Sequence, residues 1–244
     1  MNANEFNERN RHFIQSMKDD TNLRKASQAW YLQASRQEYS YHFSWLGLPI
    51  IQFPQDVVAM QEIVWRTRPD VIVETGVARG GSLLLYASLL ELIGGEGLVV
   101  GIDVDIRAPN RAAIEGHALS KRIRLIQGSS VDSAIVEQVA AIAKRGRRVL
   151  VVLDSNHTHF HVARELECYA PLVTCESYLV VFDTVIEDMP PEFVKDRPWA
   201  PGNSPKTAVN EFLTRTDRFR IDDEIDAKLS ISAAPGGYLR CVKD

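Results

Sequence analysis

Five short apolar runs, each closed by an acid or a glycine, constrain this chain more than any other feature of its 244 residues. They are VIVE (71–74), LVVGID (98–103), IRLIQG (123–128), VLVVLD (149–154) and YLVVFD (178–183), separated by segments long enough for a helix. Runs that are apolar at successive positions suit strands buried on both faces, and their alternation with helices predicts an α/β fold with a mostly parallel sheet. Ligands bind such sheets at the carboxyl ends of the strands. Glu74, Asp103, Gly128, Asp154 and Asp183 all stand at that edge.

The remaining segments frame this unit. Residues 1–56 are expected to form a helical extension carrying Phe6, Phe13, Trp30, Tyr31, Tyr39 and Tyr41, an aromatic surface on which a second copy of the chain could dock. Within it, WLGLPIIQFPQD (45–56) reads as broken structure before a helix over VVAMQEIVWRT. Residues 57–244 form the main domain. A Pro-rich loop spans 184 to about 205, a helix begins near Lys206, and a terminal hairpin is expected with APGG (234–237) as its turn and YLRCV (238–242) as its last strand.

Composition narrows the partners. With 28 Lys+Arg against 32 Asp+Glu, a net charge of -4 and no basic tail, a small molecule is expected rather than nucleic acid. Cys168, Cys175 and Cys241 are odd in number and widely spaced, as in a reduced cytoplasmic protein. No apolar run approaches the roughly 18 residues of a membrane span.

In VIVETGVARGGS (71–82) a buried strand ends in Glu74, turns through Gly76 and enters a helix at Gly80, Gly81 and Ser82. A dinucleotide-binding turn would carry a second glycine two residues after Gly76, and that residue is Ala78. This argues against an NAD-dependent oxidoreductase built on the same sheet. S-adenosylmethionine (SAM) has no phosphate, and a looser glycine turn with acidic anchors at Glu74 and Asp103 suits it, Asp103 being placed for the ribose hydroxyls. Arg79 belongs to the same turn, and Gly128, Ser129 and Ser130 continue the edge; either serine also suits a helix cap.

The segment LDSNHTHFH (153–161) sets Asp154 at a strand end and three histidines after it, while Asp183 ends the next strand. If the two strands are neighbours, two hard carboxylates meet beside the cofactor and suit Mg²⁺, Mn²⁺ or Ca²⁺. A substrate hydroxyl on that cation would become more acidic, and His157 is suited to accept its proton. A helix starting near Thr158 would instead set His157 and His161 at i, i+4 as a transition-metal pair.

VIVETGVARGGS, GIDVDIR, IQGSS, VLDSNHTHFHV, YLVVFDT, RPWAPGNSPKTAV and APGGYL, read in this order, resemble the cephalosporin hydroxylase or rhamnosyl O-methyltransferase family over residues 44–242. The resemblance implies a Rossmann-like class I SAM methyltransferase with a seven-stranded sheet, a divalent metal, usually Mg²⁺, and a sugar-containing acceptor. It matches Asp154, His157 and Asp183 to a metal aspartate, a histidine base and a second metal aspartate, and so favours His157 over His159 and His161. Asp154 also falls in the cofactor pocket. Some relatives carry a glutamate just before the second aspartate, where this chain has Phe182; Glu187 or Asp188 is a candidate replacement. Trp199, in DRPWAPGNSPKT (196–207), offers a flat face for a sugar or aromatic acceptor, with Tyr39, Trp45 and Arg79 as further candidates. Phosphoramidate, amine or phenolic acceptors, or a catalytically silent SAM-binding protein, are the alternatives.

Overall fold

A computed structural model describes residues 1–244. The chain opens with two capped helices, α1 (Ala3–Asp19) and α2 (Thr21–Ser35). Asn2 and Glu5 form a capping box at the first, and the Asp20 carboxylate accepts from the Asn22 and Leu23 amides at the second. A two-stranded antiparallel hairpin, β1 (Phe43–Trp45) with β2 (Leu48–Ile50), then stands where only broken structure is expected. Its turn residues Leu46 and Gly47 have φ of 46° and 94°, the positive pair that matches strand twist. A leucine in that position conceals the turn, because Asn or Gly normally marks it. α3 (Pro54–Thr67) follows, with proline at its first position, where no amide hydrogen is needed.

The main unit alternates β3 (Val71–Thr75), α4 (Gly81–Ile93), β4 (Leu98–Asp103), α5 (Ala108–Glu115), β5 (Ile123–Gln127), α6 (Ser133–Ala143), β6 (Val149–Leu153), α7 (His159–Tyr169) and β7 (Tyr178–Val181). It finishes with α8 (Pro205–Arg215), β8 (Phe219–Ile221), α9 (Asp223–Leu229) and β9 (Tyr238–Cys241). The seven strands lie in the order β5-β4-β3-β6-β7-β9-β8. β3 to β7 are mutually parallel, and β9 runs antiparallel to both its neighbours. The chain therefore moves outward from β3 to β5 and returns to lay β6 on the other side of β3. That reversal opens a crevice between β3 and β6 at their carboxyl ends.

Alternate strand residues feed two cores. Ile72, Val99, Leu150 and Val180 face α3 and α4, while Val73, Val100, Val151 and Leu179 face α6, α7 and α8. Tyr31, Ile50 and Phe53 lie in the first of these cores. The boundary expected at residue 56 therefore falls in the first turn of α3, within continuous packing. The expected terminal hairpin is corrected: β8 and β9 do pair, but α9 lies between them, and APGG leads into β9. Gly237 is required there because a Cβ would lie 2.1 Å from the Val181 carbonyl oxygen.

Asp56 ties α3 to the C-terminal strand. It is fully buried and accepts from Ser232 Oγ (2.6 Å), the Ala233 amide (2.8 Å) and Tyr238 Oη (2.7 Å). Burial pushes its carboxyl up to about 6, the three donors pulling the other way. Asp56→Ala leaves these donors buried without an acceptor, and urea unfolding should show a loss of about 3–5 kcal/mol. An unfolded aspartate titrates near ~3.9. The folded state thus holds this proton longer, so the Asp56 contribution to stability is fully present below about pH 4 and is lost as pH rises through 6. Calorimetric scans from pH 4 to 7 should show a shallower decline for Asp56→Asn than for the parent chain.

Candidate active site

The glycine turn joins β3 to α4 in the crevice. Gly76, Ala78 and Gly80 have φ of 93°, 45° and 87°. Ala78 thus takes the left-handed conformation that glycine usually supplies. A Cβ on Gly76 would lie 2.0 Å from the Asp154 backbone oxygen, and one on Gly81 would lie 2.3 Å from the Pro49 oxygen. These two glycines therefore serve chain crossing as much as ligand access. Asp103 braces the turn, its Oδ2 accepting from the Val77 amide at 2.9 Å. Asn110, not singled out by sequence, donates to the Ala78 carbonyl at 2.8 Å. Glu74 is fully buried; one oxygen accepts from Ser82 Oγ at 2.8 Å and the other, Oε1, has no partner. Burial pushes its carboxyl up to about 8, the hydrogen bond from Ser82 pulling the other way. Arg79 is exposed at the rim.

Asp154 and Asp183 follow β6 and β7, which are neighbours, so the two acids meet. The last strand run stops at Val181, and Asp183 turns with φ of 57°, uncommon for a residue with a side chain. Oxygen or nitrogen ligand atoms of Asp154, His157 and Asp183 all lie within 4.8 Å of one another. His157 Nδ1 is 3.3 Å from Asp183 Oδ2, and the His157 ring packs edge-on against Trp199 at 4.6 Å. Burial, then the charges of Asp183 and Glu74, hold the Asp154 carboxyl well above the usual range. Neither aspartate has a lysine or arginine salt bridge. Converging carboxylates without a counter-charge fit a divalent cation, and their hard oxygens suit Mg²⁺ or Ca²⁺.

A cleft of about 520 Å³ opens over these groups. Gly76, Asp103, Asp154, His157, Asp183 and Trp199 line one side, and Phe53, Phe182, Val185, Ile186, Phe193 and Val194 form an apolar wall. A smaller pocket of about 40 Å³ over the glycine turn is lined by Gln52, residues 76–82 and Asp154. Gln52, which sequence reading passed over, donates from Nε2 to Asp154 Oδ2 at 3.1 Å. Only the crossing of the β2–α3 segment over the crevice brings it there.

Several expected groups have other partners. α7 begins at His159, so His157 precedes the helix and does not pair with His161. His161 Nε2 instead lies 3.1 Å from Ser130 Oγ and 3.3 Å from Ser155 Oγ, and buried Glu165 accepts from Ser155 Oγ at 2.7 Å. Ser130 is thereby turned toward α7, while Gly128 donates its amide to the Asp103 carbonyl and the Ser129 carbonyl accepts from the Asp132 amide. His159 bridges α7 to α8 through Thr207 (2.8 Å) and Glu211 (3.0 Å). Glu187 does not stand in for the residue replaced by Phe182: its carboxylate accepts from the Gly202 amide and Ser204 Oγ and anchors the Trp199 loop. Asp188 pairs with Lys206 at 2.6 Å. Phe182 itself is buried against Tyr238. Tyr39 packs among Trp30, Phe43 and Phe53, and Trp45 donates to Ser88 Oγ; neither lines this cleft.

Known proteins share this arrangement of elements. A CmcI structure with Mg and SAM superposes with a TM-score of 0.58 at 22% identity, covering 83% of this chain and 78% of that one. An O-methyltransferase from Bacillus cereus in complex with SAH, the demethylated product, gives 0.53 at 15% identity over 92% of each chain. At these identities the likeness is one of fold. In sequence, the rhamnosyl O-methyltransferase of Mycobacterium tuberculosis is 28% identical over 201 residues, 80% of this chain and 77% of the relative. That of Mycobacterium leprae is 28% identical over 148 residues, 60% and 62% of the two chains. The family model described as Rhamnosyl O-methyltransferase/CmcI matches residues 37–242, and with that span covered the chain belongs to this family of SAM-dependent O-methyltransferases.

Proposed function

We propose that this protein methylates a hydroxyl of a sugar-containing small molecule, using a divalent cation held by Asp154 and Asp183 and His157 as general base. The observation that carries the reading is the convergence of these three side chains within 4.8 Å, beside a glycine turn at the sheet's switch point. The rhamnosyl O-methyltransferases it resembles support a sugar acceptor. SAM supplies an electrophilic methyl group, and a bound cation lowers the pKa of an acceptor hydroxyl.

The protein's own residues do the rest. In this reading Asp103, at the end of β4, takes the ribose hydroxyls on the lone pairs left beside its bonds to the Val77 and Asp105 amides, and the unpartnered Oε1 of Glu74 takes a donor from the cofactor. With Nδ1 turned to Asp183, Nε2 is the His157 nitrogen left to take the hydroxyl proton. Trp199 holds the His157 ring from one side, while Arg197 lies over the Trp199 ring at 5.5 Å. The apolar residues from Phe53 to Val194 give an acceptor a surface to pack on beside the acids.

Isothermal titration should show SAM or SAH binding to the purified protein; silence with both ends the proposal. With sugar acceptors screened by mass shift, His157→Ala should lower kcat by about 10²–10⁴-fold while SAH affinity stays within a few fold. A base at this position also predicts that the acidic limb of the kcat–pH profile is lost in that variant. Chelation with EDTA should abolish turnover, excess Mg²⁺ should restore it, and Asp154→Ala should resemble the chelated enzyme at every Mg²⁺ concentration. Full turnover in EDTA would remove the metal from the mechanism.

A further inference from the structure

The residue before Asp183 is the buried, apolar Phe182, where some relatives carry a glutamate, and the loop acids Glu187 and Asp188 are engaged elsewhere. Of the buried side chains with an unpartnered polar atom, Gln52 is the one hydrogen-bonded to a metal acid. Gln52 is only 7% exposed, its Nε2 donates to Asp154 Oδ2 at 3.1 Å, and its Oε1 is buried with no donor. An amide carbonyl left without a partner in a buried site carries an uncompensated desolvation cost. Such a group needs either a ligand or another rotamer.

We propose that Gln52 supplies the missing oxygen ligand, its Oε1 joining Asp154 and Asp183 on the divalent cation; the inference rests on the metal-assisted reading above. The amide oxygen and nitrogen exchange places by a half-turn of the terminal torsion. That turn puts Oε1 at the position now held by Nε2, 3.1 Å from Asp154 Oδ2. Neighbouring ligands at right angles on a cation with bonds of about 2.1 Å are about 3.0 Å apart, so the spacing already suits two oxygens sharing one ion. With the cation between them the carbonyl gains a partner, while the amide N–H₂ takes the buried place that Oε1 now holds. A neutral amide in place of a carboxylate leaves the site with one negative charge fewer than the glutamate-bearing relatives, and predicts weaker metal binding than a third acid would give. His157 then remains available for the proton.

The probe is Mn²⁺, counted by electron paramagnetic resonance and by titration calorimetry on the whole chain, with SAH affinity measured beside it. Gln52→Leu should weaken Mn²⁺ at least about tenfold with SAH affinity within about twofold of the parent. Gln52→Glu keeps an oxygen, loses the amide hydrogens and should bind Mn²⁺ more tightly than the parent. Thermal unfolding establishes that each variant is folded. Unchanged Mn²⁺ affinity in Gln52→Leu overturns the assignment, as does a loss in both variants, which would mean that the amide N–H matters and not its oxygen. Weakened SAH with unchanged Mn²⁺ also overturns it, by giving the carbonyl to the cofactor's ammonium. A parent chain that binds no Mn²⁺ fails the metal reading itself, an outcome separable from the others.

Discussion

The close crossing of Gly76 over the backbone of Asp154 is the contact on which the rest of the site depends. With no Cβ at Gly76, the turn after β3 rests directly on the turn after β6, where a methyl group would lie 2.0 Å from a carbonyl oxygen. The pieces that would receive the methyl donor and the metal are therefore parts of one packed junction. It continues the hydrogen-bond ladder beyond the strands, through the Gly76 amide to Ile102, the Asp154 amide to Thr75 and the Phe182 amide to Leu153. Strand register is thereby passed on to the side chains of the candidate site with little freedom for drift, as near-attack alignment would require.

The electrostatics of this junction are unfavourable for the chain alone. Glu74, Asp154 and Asp183 gather around a crevice, and the raised carboxyls of Glu74 and Asp154 record the cost of burying them and, for Asp154, of facing like charges. A fold can sustain such a cluster because two apolar cores supply the stability, with Asp56 locking α3 to β9 behind the site. A cation bound between these carboxylates would relieve that repulsion and stabilise the fold.

Around the site the structure separates histidines and acids that look equivalent in sequence. His157, His159 and His161 fall within five residues, yet one faces Asp183, one joins α7 to α8 and one ties Ser130 to Ser155. The start of α7 at His159 decides this, because residues before and after a helix start follow different backbone paths. Glu187 is likewise spent on the Gly202 amide and Ser204, which in turn caps α8 and fixes the loop bearing Trp199.

Much of this was legible in the residues. Five apolar runs became five parallel strands, their acids took one edge, and Asp103, Asp154, His157 and Asp183 reached the crevice, since period, chain polarity and strand-end position are local properties. The β1–β2 turn is hidden in the sequence because Leu46 occupies a positive-φ site, and α9 is hidden because a helix of seven residues carries too little period to stand out between β8 and β9. The sequence by itself determined the sheet, its ligand edge and the chemical kind of the groups placed there. Only the tertiary structure decided which of them touch: Gln52 lies 102 residues from Asp154 along the chain and Asn110 lies 32 from Ala78. Such contacts come from how separate elements cross in space, which no local pattern encodes.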